Sequence, residues 1–360
     1  MAITHTPQDR YSALVLAKLR ASLVLQDGIV FNNDYEGNPV AGKVRIPVRD
    51  TEVVVGDYDV ATGLAIGQGA TSYLDVLINK QKAVNELIDG YEAAAVPDGL
   101  IAERLDSAGY ALARQLDSDG ATELLASGTV TNFDLITAAD AYSHFVDIRT
   151  LLSKANVPPI GRYALVTPDF LGLLLKSPEF IKASDLGDAV VQTGAIGKIA
   201  GFSVFEFNDN TPNLRCICGH PGWSTRVKEW SVPVAINNLG NQYIGASAVQ
   251  GRLVYGHKLT KPLTVRIIYS PGELDASLTA VGAALGKTKI VCTAPTGTAK
   301  YRKNPATRVV FDQSDSGFTA ITTDPTVVVG DIIEVVDFVS SKAASVCYLT
   351  VTADVIGTGA

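Results

Sequence analysis

The sequence predicts an α+β chain that ends in a small all-β segment. Three observations carry this prediction. An alternating apolar and polar stretch near the N-terminus reads as a long two-stranded arm. Pro97–Leu125 carries an apolar stripe at helical spacing. After about Asp275 the chain breaks into short β runs separated by turns.

Tyr11–Leu25 comes first, with Tyr11, Leu14, Val15, Leu19 and Leu23 on one face of a short helix. A helix this short is marginal alone and needs a surface to dock on. Between Gly37 and Asp89, Val44, Ile46 and Val48 alternate with Lys43, Arg45, Pro47 and Arg49. Pro47 cannot donate to a ladder, which puts this strand at an edge. Leu74, Val76 and Ile78 repeat the pattern after a connection punctuated by Gly56, Gly63, Gly67 and Gly69. A two-stranded hairpin is marginal alone in water, and its unpaired edges invite another chain. The expectation is an arm that orders only by lying on a second copy.

In the long helix, Ile101, Leu105, Ala108, Leu112 and Leu116 form the stripe, and Gly109 and Gly120 are expected to weaken or bend it. A second helix starts near Asp134 or Thr137 and buries Ala141, Phe145, Ile148, Leu151 and Leu152. It stops before Pro158-Pro159. From Arg162 the pattern becomes α/β. Tyr163–Val166 is a short buried strand, Thr167-Pro168 opens a helix with Pro at its first position, and strands follow at Phe202–Phe207, Leu214–Cys218 and Leu263–Tyr269. The late β runs are Lys289–Thr293, Arg308–Phe311, Thr326–Val329, Ile332–Phe338 and Ser345–Thr352.

Composition narrows the function. Of 360 residues 47% are hydrophobic and 19% charged, a globular balance rather than a disordered one. Lys and Arg total 30 against 37 Asp and Glu, a net charge of −7, so a protein that grips nucleic acid through a basic face is not expected. An acidic wall still suits a container for DNA, because mild repulsion keeps the polyanion from sticking. No apolar run reaches the ~20 residues of a bilayer span, and Leu14–Val24 is broken by Lys18 and Arg20, so neither signal nor anchor is expected. Cys216, Cys218, Cys292 and Cys347 fit synthesis in a reducing cytosol.

The order of parts (arm, spine-like helix, second helix, α/β region, returning strand) resembles the Hong Kong 97-type fold of tailed-phage major capsid proteins, which encapsulins share. Arg162-Tyr-Ala-Leu-Val-Thr-Pro-Asp-Phe-Leu171 and Gly194-Ala-Ile-Gly-Lys-Ile-Ala-Gly-Phe-Ser-Val204 look like the family's passage from an axial-domain strand through a helix to a Gly-x-Ile-Gly-x-x-x-Gly-Phe turn. Leu253-Val-Tyr-Gly-His257 and Pro262-Leu-Thr-Val-Arg-Ile267 look like its closing segment. The resemblance covers roughly residues 10–272. It implies an N-terminal arm over 1–36, an extended β loop over 37–89, a peripheral domain with spine helix over 90–160, and an axial domain with returning peripheral strands over 161–274. Residues 275–360 lie outside the basic pattern, as a C-terminal β domain.

The implied function is a coat protein that self-assembles, as hexamers and pentamers, into an icosahedral shell around phage double-stranded DNA. The DNA is enclosed without sequence-specific binding, and no membrane takes part. Scaffolding and portal proteins are implied partners; the virion is the implied location, after synthesis in the bacterial cytoplasm. A nanocompartment shell is the alternative on the same architecture, and a metal-dependent hydrolase is a third reading. Lys43, Arg45, Arg49, Asp75 and Lys80 of the extended loop are the candidate subunit-interface residues. Arg45 and Arg49 are candidates to pair with carboxylates such as Asp57, Asp59 or Asp75, equally within the arm or across a subunit boundary, where charge would set docking register more than strength. Some shells of this fold join an arm lysine to a neighbour's asparagine; Lys43 or Lys80 with Asn132 has the residue types, and solvated lysines are the simpler reading.

No catalytic, cofactor or metal residues are expected. Cys216-Ile-Cys218-Gly-His220 puts three ligand types on one strand face, but nothing nearby supplies a fourth, and buried small residues beside a turn histidine explain it. Gly197-Lys198 is followed by Ile199 rather than Ser or Thr, and Gln192 replaces the earlier Gly of a phosphate loop. Gly67-Gln-Gly69 lacks a third Gly. His5, His144, His220 and His257 are scattered, with no Gly-x-Ser-x-Gly elbow.

Overall fold

A computed structural model describes residues 23–35, 42–49, 53, 55–64, 71–89, 99–178, 197–240, 244–282 and 284–359. Most of the expected Tyr11–Leu25 helix, and all of Gly67–Gly69 and Gly194–Ile196, lie outside them. The chain divides into two compact units, Met1–Ser127 with Pro221–Lys261, and Gly128–His220 with Pro262–Ala360.

In the first unit, strands β1 (Lys43–Arg49) and β2 (Thr71–Leu77) pair antiparallel, with Arg45 opposite Asp75 and Pro47 opposite Tyr73. Among the described residues β1 pairs only with β2, so the proline sits on an edge strand as its missing N–H requires. A second sheet has β10 (Ser247–Leu259) between β3 (Lys80–Ile88) and β9 (Ser224–Asn238), all antiparallel. Helix α1 (Gly99–Ser127) lies on it, with Ala108, Ile88 and Val249 buried together and Leu105, Val84 and Val234 around them.

The helix runs unbroken through Gly109 and Gly120. Gly120 serves packing: a Cβ there would press into the ring of Phe31, itself fully buried.

Sequence reading missed the three-stranded sheet. The Lys80–Ile88 strand is mostly polar and buries only Ile88, so its alternation is invisible without its neighbours.

The second unit is built on a six-stranded mixed sheet. Its order is β4 (Thr129–Asn132), β11 (Val265–Tyr269), β8 (Leu214–Gly219), β5 (Tyr163–Val166), β7 (Phe202–Glu206), β6 (Lys198–Ile199). Every residue of β5 is buried, as its apolar run predicts. Helix α2 (Ala141–Lys154) buries Ala141, Phe145, Ile148 and Leu152. Phe145 meets Phe202 edge-on at 5.1 Å, and also meets Phe170 of α3 (Pro168–Leu175) at 6.4 Å. The cap residue of α2 is Asp140 rather than Asp134 or Thr137, and Thr137 donates to it through both N–H and hydroxyl. Arg162 is buried and donates to the carbonyls of Arg149, Val157 and Pro158, closing the end of α2.

Residues after Ser270 form a β sandwich. One layer is a five-stranded sheet ordered β12 (Gly272–Glu273), β18 (Lys342–Thr350), β17 (Ile332–Val339), β15 (Thr298–Lys303), β16 (Thr319–Ala320). The hairpin β13 (Ala276–Ala280) and β14 (Thr288–Cys292) covers one face, around Ile290, Tyr301, Ile333 and Val335. The opposite face buries Val336, Phe338 and Val346 with Val309. Arg308–Phe311 is not a strand, contrary to the sequence expectation. Its N–H groups leave the ladder: Val309 donates to the Glu334 carboxylate and Phe311 to the Phe133 carbonyl. Among the described residues no helix is long and apolar enough to cross a membrane.

Candidate functional site

Alternation along β1 and β2 sorts the arm into two faces. Ile46 and Val76 are buried at 4% and 0% exposure, with Ile78, Val227 and Val254, while Val44, Val48 and Tyr35 pack around them. The root of the arm is therefore seated on β9 and β10 of its own chain. This corrects the expectation of a limb ordered only by another copy; apolar side chains long enough to reach the sheet give it a local seat. Gly256 makes the seat possible, because a Cβ there would run into the Leu77 carbonyl.

Beyond the root, the described residues of the arm include a run of exposed apolar side chains. Val55 and Val60 are more than 90% exposed, and Val53, Tyr58, Leu64 and Tyr73 are exposed as well. The turn is held locally: Asp59 accepts from the N–H of Ala61 through its side chain and from that of Gly63 through its carbonyl.

On the polar face, Asp75 takes both Lys43 at 3.1 Å and Arg45 at 3.2 Å. Of the carboxylates considered for Arg45, the arm's own Asp75 is the one it meets. Arg49 stands opposite Thr71 in the backbone register. Lys80 opens β3 opposite Tyr255 rather than extending β2.

At the root lies a charge network that sequence reading missed. Arg226 is buried and reaches Asp27 at 3.0 Å and Asp117 at 3.8 Å, with its guanidinium 4.6 Å from the centroid of the Phe31 ring. Its Nε donates to His257 Nε2 at 2.9 Å. Lys228 also pairs with Asp27. Tyr255 donates to Asp119 at 2.7 Å, and the Leu25 N–H donates to Asp117. Asn32 joins the sheet beside Thr225, its N–H donating to the Ser224 carbonyl. These contacts tie residues 25–32 to α1 and β9.

Electrostatics follow from burial and partners. Burial alone would raise the Asp27 carboxyl, but the Lys228 hydrogen bond and the charges of Arg226 and Lys228 outweigh it and hold it low. Burial wins at Asp117, which is pushed up despite the Leu25 N–H and Arg226. Burial and then the Arg226 charge pull His257 down to about 3, against the opposing pull of Asp119 and Asp27. Tyr255 is pushed up by burial and by its bond to Asp119. A cavity of about 270 Å³ opens beside the network, lined by Asp75, Lys80, Asp119, Glu123, His257 and Lys258 among others. Its mixed charges and the flexible lysines suit polar contact rather than proton transfer at a fixed atom.

The remaining candidates do not form a site. Cys216 and Cys218 are buried in β8 with sulfurs 3.7 Å apart, and burial pushes the Cys216 thiol well up. His220 sits past the strand end, its Nε2 3.1 Å from the Ile160 carbonyl, and burial lowers it. Among the described residues no group of three His, Cys, Asp or Glu side chains is placed to hold a metal ion. Asn132 lies in β4 opposite Tyr269, with its side-chain oxygen buried.

Residues 90–215 match the phage capsid protein family. The fold agrees with that match. A chain from Mycobacterium phage Che8 aligns at TM-score 0.63 and 23% identity, covering 74% of this chain and 98% of its own length. The capsid structure of cyanophage P-SCSP1u contains a chain at TM-score 0.59 and 14% identity, with 73% and 92% covered. The asymmetric unit of the bacteriophage PhiM1 mature capsid gives 0.52 and 15%, with 71% and 92% covered. The chain shares its fold with these phage capsid chains. No curated protein sequence matches the chain.

Proposed function

We propose that this chain is a phage capsid protein, the major building block of an icosahedral shell around phage double-stranded DNA, and that its task is assembly rather than catalysis. Copies gather as hexamers and pentamers. Of the extended loop over 37–89, the part beyond the seated root crosses a neighbouring copy, the region around α1 with β3 forms the peripheral part, and the six-stranded sheet forms the axial part. Residues 275–360 are an added β domain; the shares covered, 74% of this chain against 98% of the Che8 chain, are consistent with an addition to a shared core. Scaffolding and portal proteins take part, and the subunits are made in the bacterial cytoplasm before entering the virion.

The arm tip is the observation that carries this reading. Val53, Val55, Tyr58, Val60 and Leu64 are exposed on a loop whose root is fixed. Burying a large apolar side chain fully contributes about 1.5–3 kcal/mol. Several such contacts per copy, repeated over a closed shell, outweigh the cost of association. Lys43, Arg45, Arg49, Asp75 and Lys80 then set the register of docking, with Asp75 exchanging its own lysine or arginine for a neighbour's.

The test is to replace residues 53–64 with a short Gly-Ser turn, which spares β1, β2 and their packing. The expected result is a folded subunit that forms no closed particles by electron microscopy. Normal shells from that variant would overturn the proposal. Particles filled with protein and free of nucleic acid would turn it toward a storage compartment.

A further inference from the structure

We propose that Cys292 and Cys347 are a disulfide site, a bridge between the β13–β14 hairpin and the five-stranded sheet that closes once the folded chain leaves a reducing compartment. Thr288 and Ile290 of β14 are buried, so alternation turns Cys292 into the same interior. Cys347, with Leu349, packs on that cluster from β18 in the opposite layer. Its sulfur lies 4.0 Å from the carbonyl oxygen of Ala276. Ala276 is the direct register partner of Cys292, so the Cys347 sulfur stands against backbone beside Cys292. The two thiols are near enough for Cys347 to act electrostatically on Cys292, and both pack on one cluster, so rotation about χ1 at each residue turns the sulfurs towards one another.

Both residues are free thiols of intermediate exposure, within reach of a small oxidant. The other close pair is a poorer candidate. Cys216 and Cys218 are fully buried, and residues two apart on a strand are separated by about 6.6 Å, the wide end of disulfide geometry.

The exchange balances with a small-molecule disulfide such as oxidised glutathione. One cysteine thiolate attacks it and expels a thiolate, giving a mixed disulfide. The second cysteine then displaces the remaining half, so two protein thiols are oxidised and one small disulfide is reduced to two thiols. Burial holds both thiols above their usual value; Asp337 and Asp275 add to this at Cys292, and Glu273 and Asp275 at Cys347, which makes the exchange slow.

Full-length protein purified in reductant is incubated with oxidised glutathione and denatured. Free thiols are tagged with a maleimide, and the digest is mapped by mass spectrometry. The expected product joins the peptides of Cys292 and Cys347 and leaves Cys216 and Cys218 tagged. The thermal transition of the chain rises with oxidation, and that rise disappears in Cys292→Ala and in Cys347→Ala. Four tagged cysteines, glutathione retained on either residue, or a link confined to Cys216 and Cys218 would each overturn the proposal.

Discussion

Arg226 Nε donates to His257 Nε2 at 2.9 Å, which leaves the imidazole neutral with its proton on Nδ1. A cationic histidine here would face a guanidinium in a buried setting. The arrangement sets both the tautomer and the pH range in which the arm root is stable.

Acid should weaken the subunit for this reason. The folded value of His257, about 3, lies below the ordinary value of 6.5, so the unfolded chain takes up the proton first. Stability contributed by the neutral ring is complete above about pH 6.5 and falls as pH drops towards 3. At about 1.4 kcal/mol per unit the whole effect is several kcal/mol. Urea unfolding between pH 7 and 4 should show the decline, and His257→Gln should flatten it.

Arg226 is held by two carboxylates and a histidine, and losing it leaves Asp117 without its cation and Asp27 with Lys228 alone. Arg226→Met should destabilise the full chain by about 3–5 kcal/mol, because Asp117 and Asp27 are left without their shared cation. Asp27→Asn should cost less, since Asp117 still faces Arg226. Equal unfolding midpoints for the two variants would contradict this ordering.

Gly256→Ala tests the seat of the arm. The new methyl meets the Leu77 carbonyl, a backbone atom that moves only with the strand. A destabilisation of about 1–3 kcal/mol is expected, with β1 lifted from β9 and β10. Limited trypsin digestion should then cut faster at Lys43, Arg45 and Arg49.

In the β sandwich, Glu334 is fully buried and accepts from Arg302 and from the Val309 N–H. Glu334→Ala leaves the buried Val309 N–H without an acceptor and Arg302 without its carboxylate, and should cost about 3–5 kcal/mol. Hydrogen exchange should rise in residues after Asp275. Particle formation should persist if that segment is an appendage.

Much of the architecture is legible in order of residues. The period-two run from Lys43 to Arg49 marks an edge strand, and the stripe from Leu105 to Leu116 marks a helix found at Gly99–Ser127. Pro168 marks the first position of its helix. These signals are local, because burial on one side imprints a period on neighbouring residues.

The tertiary structure alone decided the rest. Whether the arm is seated depends on Val227 and Val254, far along the chain, and on the absence of a side chain at Gly256. The network of Asp27, Asp117, Arg226 and His257 draws on four separated segments, and no local spacing announces it. Alternation tells which side chains share a face, whereas only the folded backbone determines which faces meet. Charge follows the same division: the sequence sets the net balance of −7, and burial decides that His257 stays neutral.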